Sequence, residues 1–246
     1  METQLFLPPA GGGSTFTIDR PAVPRHLTAV FGVAASWAHQ PFVRSDATAG
    51  GVVVVPGGAV VRNLIQLEAL AALGLFELLE IGVAVPMAIV ESDADPFGPL
   101  SAYAWNAASS DLRLSAKVPI LRGDFALSAR FVAQLPTGDF QNYQGNEYWI
   151  ATPSVALAWS PGPLILSSEV GFRFRQRRTI GDFEQDDEIA LAGGVTVPII
   201  PEIEVIAEAQ MRIGVGGRSL TAAEVPAEAD LGARFRPASG LSIEVG

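Results

Sequence analysis

The chain has 246 residues, no cysteine and two histidines, and its 26 acidic residues outnumber 16 basic ones for a formal net charge of −10. This composition excludes disulfides, thiol chemistry and cysteine-bound zinc, and two histidines are too few for a multi-histidine metal site. Nucleic acid is excluded as a partner too, since phosphates call for basic patches.

Hydrophobic residues reach 49% and the mean hydropathy is +0.32, yet 17% of residues are charged. A helical membrane protein would show apolar runs of about 18 residues or more. The nearest run, 64–79, is interrupted by Gln66, Glu68, Gly74 and Glu77. A β-barrel resolves the mixture, because only alternate strand residues must face lipid.

The opening Met1-Glu2-Thr3-Gln4 lacks the basic and apolar regions of a signal peptide, so the chain reads as a mature form or a fragment. Residues 1–25 read as an N-terminal periplasmic segment and 26–246 as one β domain, with no composition shift to suggest another. About eleven strand-like segments follow, apolar at every second position. In 62–75, Ile65, Leu67, Ala69, Ala71, Leu73 and Leu75 oppose Arg62, Gln66, Glu68 and Gly74. In 111–120, Leu112, Leu114, Ala116, Val118 and Ile120 oppose Asp111, Arg113, Ser115 and Lys117. The segments 125–135, 164–174, 202–213 and 228–236 repeat the pattern, and Leu241–Gly246 reads as half a strand, a chain cut in its last hairpin.

Connections alternate in length. Short turns fall near Phe76-Glu77, Arg122-Gly123-Asp124, Ser160-Pro161-Gly162-Pro163, Pro201 and Pro237-Ala238-Ser239-Gly240. Long connections are expected at roughly 40–59, 91–110, 136–147, 175–187 and 214–226. Short turns at one end and long loops at the other are the layout of an outer-membrane barrel. A soluble β-sandwich also alternates, but it does not segregate loop length by end, nor mix small residues with paired charges on its polar faces. Aromatics gather at both strand ends: Phe76, Phe125, Trp159 and Phe235 by the short turns, and Trp37, Phe42, Trp149, Phe172 and Phe174 by the long loops. Such clusters suit the two interfacial girdles of a barrel. Pro86, Pro119, Pro153 and Pro198 fall within or near strands, where each implies a bulge or local strain.

Several stretches resemble the N-terminal barrel of OmpA-family outer-membrane proteins. They are Phe16–Asp46, with Pro24-Arg25-His26-Leu27 and Trp37-Ala38-His39-Gln40-Pro41-Phe42, then Gly82-Val83-Ala84-Val85-Pro86, Asp111-Leu112-Arg113-Leu114 and Leu135-Pro136-Thr137-Gly138-Asp139. The resemblance implies an all-β, up-and-down antiparallel transmembrane barrel in the bacterial outer membrane. Bacterial single-chain barrels have even strand numbers, so about twelve strands are expected in the complete form. Family members often carry a C-terminal domain that grips peptidoglycan, and nothing here matches it; contact with peptidoglycan would need that further domain.

If apolar faces point outward, the lumen is lined by Glu68, Glu80, Arg113, Lys117, Arg130, Glu169, Arg173, Glu204, Glu208, Arg212, Glu228, Asp230 and Arg234. Mixed signs suit pairing across a narrow or plugged interior, whereas an open ion channel tends to show one sign at its constriction. The expected role is therefore a structural envelope protein or narrow pore without a cofactor. Its partners would be outer-membrane lipids and lipopolysaccharide, with small solutes or ions as cargo. Two other readings stay open. One is a diffusion porin; the other is a rim-sited lipid-modifying enzyme built on Ser36, His39 and Asp46, though no nucleophile motif surrounds the serine. Asp93-Ala94-Asp95 is only a fragment of a calcium loop. The basic cluster Arg173, Arg175, Arg177 and Arg178 is a candidate for lipid phosphates at the rim.

Overall fold

The computed structural model describes residues 5–48, 51–93, 103–139, 144–180, 183–215, 225–238 and 241–246. Among them no α-helix forms, and none is long and apolar enough to cross a membrane. The strands are β1 (Ala29–Thr48), β2 (Gly51–Leu75), β3 (Leu79–Asp93), β4 (Tyr103–Ser109), β5 (Leu112–Leu121), β6 (Phe125–Leu135) and β7 (Ile150–Trp159). They continue with β8 (Ile165–Arg173), β9 (Arg178–Ile180), β10 (Phe183–Gln185), β11 (Glu188–Ile200), β12 (Ile203–Gly214), β13 (Ala227–Ala238) and β14 (Leu241–Val245). Twelve of them form one antiparallel, up-and-down sheet curled into a half-barrel. Its order is β1-β2-β3-β5-β6-β7-β8-β11-β12-β13-β14, with β4 extending the β3 edge beyond β5 and β9-β10 a separate small pair.

Alternation sets the two faces of the curl. On β2, Ile65 and Leu67 are 41% and 44% exposed, while their neighbours Gln66 and Glu68 are 8% and 2% exposed. The same inversion runs through the sheet: Phe31, Val85, Leu114, Phe131, Val170 and Leu231 are exposed, whereas Arg113, Lys117, Arg173, Glu208 and Arg234 are buried. The molecule is inside-out relative to a water-soluble protein, whose buried charges are rare. The expected aromatic positions Phe76, Phe125, Trp159 and Phe235 are exposed at the short-turn ends, and Trp37, Trp149 and Phe174 at the other. Phe172 is half-buried with its ring 4.6 Å from that of Phe174, and the side chain of Phe42 lies outside the described residues.

Two of the expected long connections are strands instead. β1 and β2 keep pairing through Ser45↔Val54 to Thr48↔Gly51, so most of 40–59 is a hairpin. β3 and β4 pair from Met87↔Ser109 to Asp93↔Tyr103, which takes up much of 91–110. Pro41, Pro56 and the nearby glycines disfavour strand, but β-branched Val52, Val53 and Val54 prefer the ladder. The ladder absorbs the breakers through register shifts between His39 and Ser45, where Gln40 takes a positive φ of 51°. The 175–187 connection holds the β9-β10 pair. Most of 214–226, and Ser239-Gly240 of the last short turn, lie outside the described residues.

The strand prolines sit at discontinuities. Register shifts adjoin Pro119 and Pro198. Pro86 lies where β3 changes neighbour from β5 to β4, and Pro153 lies just before the β7-β8 ladder starts at Ser154. A residue without an N–H is tolerated where a ladder ends.

The turn after β2 is tight without glycine or asparagine. Phe76 and Glu77 have φ of 55° and 57°, and the Leu78 N–H reaches the Leu75 carbonyl at 3.0 Å. This is the mirror-type hairpin turn whose twist matches its strands. Its left-handed backbone is held from outside: the Phe76 N–H donates to His26 Nδ1 (3.1 Å), and the two rings stack at 4.6 Å.

Residues 5–28 precede the sheet, and the part up to Asp19 lies mostly inside it. The segment leaves at the short-turn end, where the Leu27 N–H bonds the Gly74 carbonyl at 2.8 Å. A Cβ on Gly74 would meet the Pro24 and Arg25 carbonyls. Farther in, Pro8–Ala10 and Gly13–Asp19 are buried against the inner face. Small wall residues make the room: Gly82 faces Ala10 and Gly194 faces Thr15, each too closely for a side chain.

Candidate functional site: a charged inner wall and the loop it holds

The inner face carries ionic side chains at alternating strand positions, and most of them pair across neighbouring strands. Arg113 Nη2 lies 2.6 Å from Glu68 Oε1, bridging β5 to β2 over β3. Lys117 Nζ is 3.0 Å from Glu80 Oε2, its register partner on β3. Arg130 on β6 reaches Glu169 on β8 at 3.3 Å, and the Ser154 hydroxyl between them donates to the same carboxylate at 2.7 Å. Arg173 meets Glu188 at 3.3 Å and donates to Gln134 Oε1 at 3.0 Å. Arg234 on β13 contacts Glu204 at 3.2 Å and Glu244 at 2.7 Å, while Arg236 takes the other Glu204 oxygen at 2.9 Å. Buried charges are costly unless paired and hydrogen-bonded, and most of this lattice is paired strand by strand.

The N-terminal segment completes the lattice. It closes on itself as a short loop: Gly13 bridges Asp19, and the Ser14 N–H donates to the Ile18 carbonyl at 2.9 Å. Asp19 places one carboxylate oxygen 2.9 Å from Lys117 Nζ and the other 3.3 Å from Arg130 Nε. Its N–H donates to Glu169 at 3.1 Å, and Lys117 also donates to the Arg20 carbonyl at 2.9 Å. Toward β12, the Thr17 N–H donates to Glu208 Oε2 at 3.1 Å and its hydroxyl donates to Oε1. The Arg234 guanidinium caps the turn, donating to the carbonyls of Gly13 (3.2 Å), Ser14 (3.2 Å) and Thr15 (3.0 Å). Thr196 donates to Ser14 and Arg113 to the Pro8 carbonyl, at 3.0 and 3.1 Å.

The structure therefore gathers the charged residues singled out from the sequence on one face. Glu68, Glu80, Arg113, Lys117, Arg173, Glu204, Glu208, Arg212 and Arg234 are buried there, and Arg130, Glu169, Glu228 and Asp230 are half-buried. Glu228 accepts from Gln210 at 3.3 Å, and Asp230 stands opposite Glu208 in the β12-β13 ladder.

Pattern reading passed over Asp19 and Thr17, because neither belongs to a strand. One signal was present: Asp19 is the single charged residue between positions 5 and 19, following Gly11-Gly12-Gly13. Also passed over was a network at the other rim. Asp111 accepts the N–H groups of Gly138 (3.0 Å) and Asn146 (2.8 Å), and Arg175 links Asn146 (3.1 Å) to Glu188 (3.0 Å). Arg173 and Arg175 of the basic cluster are thus engaged in the wall; Arg177 meets Asp186 at 3.5 Å, and the Arg178 side chain lies outside the described residues.

The residues of the enzyme reading do not converge. Ser36 is on the inner side of β1, whereas His39 lies on the exposed side with its Nδ1 3.0 Å from Asn63 Oδ1. The Asp46 side chain lies outside the described residues, as do Ala94 and Asp95.

The fold so defined is that of an up-and-down β-barrel with an apolar exterior and an ionic interior. No family model and no curated protein matches the chain. Nineteen chains of solved structure do match. Among them is the crystal structure of an outer membrane channel from Pseudomonas putida F1, with a TM-score of 0.59 at 14% identity, covering 88% of this chain and 85% of that one. At that identity the likeness is one of fold. This neighbour is a channel rather than an enzyme.

Proposed function

We propose that the chain is a bacterial outer-membrane channel whose lumen is closed by its own N-terminal loop. One observation carries the reading: the element filling the interior, residues 8–19, is not a strand of the sheet, and among the described residues its hydrogen bonds and ion pairs to the wall all run through wall side chains. Such an element can leave without unpairing any ladder. The exposed face supports the membrane part. Each large apolar residue left in water forgoes about 1.5–3 kcal/mol, and this sheet exposes such residues from β1 to β14. Outer-membrane lipid and lipopolysaccharide would cover them, with the aromatic girdles at the two interfaces. The short turns would face the periplasm, so the segment would enter the lumen from that side. Small solutes or ions are the cargo.

A second reading has its own support. The close pairing of inner charges suits a shut, structural barrel of the OmpA-like kind. Planar-bilayer recording separates the two. The channel reading expects brief unitary steps from the refolded chain, and longer openings when Asp19→Asn weakens the loop. A heat-modifiable, folded protein that stays silent in both forms would leave the structural reading standing.

A further inference from the structure

The loop meets a cationic pair on one wall and an acidic pair on another, where Arg234 also holds three of its carbonyls. On the β5-β6 side the inner face offers Lys117 and Arg130, and the loop answers with the Asp19 carboxylate. On the β12-β13 side it offers Glu208 and Asp230, and the loop answers with the Thr17 N–H and hydroxyl. Thr17 and Asp19 are two residues apart, so at most about 7 Å of chain separates the two points of attachment.

The acidic wall has capacity to spare. Glu208 and Asp230 are directly opposed in the ladder, which brings side chains on one face to about 5 Å Cβ separation. Asp230 Oδ2 is buried and accepts no hydrogen bond among the described residues. Thr17 brings two donors and no charge, and both go to Glu208. An ammonium group would bring three donors and a positive charge. On the cationic wall, Glu80 and Glu169 already share Lys117 and Arg130, so an incoming carboxylate would be held there only weakly. A transport path requires that moderation, since binding must favour both arrival and departure.

We propose that Lys117 with Arg130 and Glu208 with Asp230 form the two ends of a solute site for small zwitterions. The solute carboxylate lies on the cations, its ammonium lies on the acids, and residues 17–19 are the site's built-in occupant. This rests on the channel reading for its physiological meaning, but its test does not require conduction.

The occupant's hold is weakened at both ends in the Thr17→Val/Asp19→Asn protein, folded in detergent micelles and checked by heat-modifiable migration. The probe is 6-aminohexanoate, whose charged ends are about that far apart. Hexanoate and hexylammonium are the comparison probes, with one charged end each. 6-Aminohexanoate should raise the thermal unfolding midpoint at a concentration at least tenfold lower than either comparison probe needs. The wild-type protein, its site filled, should respond much less. Adding Lys117→Met or Glu208→Gln should weaken the response at least tenfold. If the double variant does not fold, Asp19→Asn alone carries the same titration. An equal response to all three probes, or none from a folded variant, overturns the site. Selective binding by a protein silent in bilayers would sink the channel reading and leave the site. Conduction without selective binding would do the reverse.

Discussion

The β5-β6 wall and the β11-β13 wall hold the same loop by opposite means. On the first, the loop supplies a charge: Asp19 enters between Lys117 and Arg130, which already have Glu80 and Glu169 as partners. On the second, the loop supplies mainly backbone, and the wall brings the charge, with Arg234 on three carbonyls and Glu208 on an N–H and a hydroxyl. The first attachment therefore has one loop charge at its centre, beside the Lys117 and Arg113 bonds to the Arg20 and Pro8 carbonyls, while the second depends mainly on wall residues and survives most changes of loop sequence. The Asp19 end is the one built to release.

Substitutions can break that comparison in order of expected effect. Lys117→Met acts on the first wall and should be the most damaging. It leaves the Asp19 and Glu80 carboxylates buried without their ammonium, a loss of about 3–5 kcal/mol for a broken buried pair, read as a lowered urea midpoint of the refolded protein. Arg234→Met acts on the second wall and should cost less, about 2–3 kcal/mol. It orphans the Gly13–Thr15 carbonyls and leaves Glu244 without its guanidinium, but Glu244 is partly exposed to solvent and Glu204 keeps Arg236. Equal losses from both would mean that the two walls do not differ in the way described.

Loop substitutions sharpen the contrast. Asp19→Asn removes the charge while Lys117 and Arg130 keep their other partners, so stability should fall by only about 1–2 kcal/mol. The fraction of time open in bilayers should rise about tenfold, the equivalent of about 1.4 kcal/mol. Thr17→Val keeps the N–H bond to Glu208 and loses the hydroxyl, for about 1 kcal/mol and a smaller gain in opening. If Thr17→Val opened the protein more than Asp19→Asn, the release point would lie on the other wall.

The sheet was legible in the sequence because each strand states its two faces locally. Ile65 and Leu67 against Gln66 and Glu68 need only a period of two, and the paired partners Lys117 and Arg130 come from adjacent hairpin strands. Two parts were hidden, for different reasons. The 40–59 hairpin was masked by Pro41 and Pro56, residues that usually end strands, and here register shifts absorb the irregularity. The loop was masked by distance along the chain: Asp19 meets Lys117 across 98 residues and Thr17 meets Glu208 across 191. No local pattern encodes such contacts. The inner glycines Gly82 and Gly194 were visible as small residues on a polar face, but their purpose, room for Ala10 and Thr15, appears only when the loop is in place.

The central claim is that the loop in the lumen is what closes it, and a reversible tether tests it most directly. The Thr17 hydroxyl donates to Glu208 on the wall, and the chain has no native cysteine, so Thr17→Cys with Glu208→Cys can be joined by a short, reducible bis-thiosulfonate bridge between loop and wall. In the Asp19→Asn background, bilayers should be silent while the bridge is intact and should show unitary steps once it is reduced. Steps of the same size and frequency in both states would contradict the account.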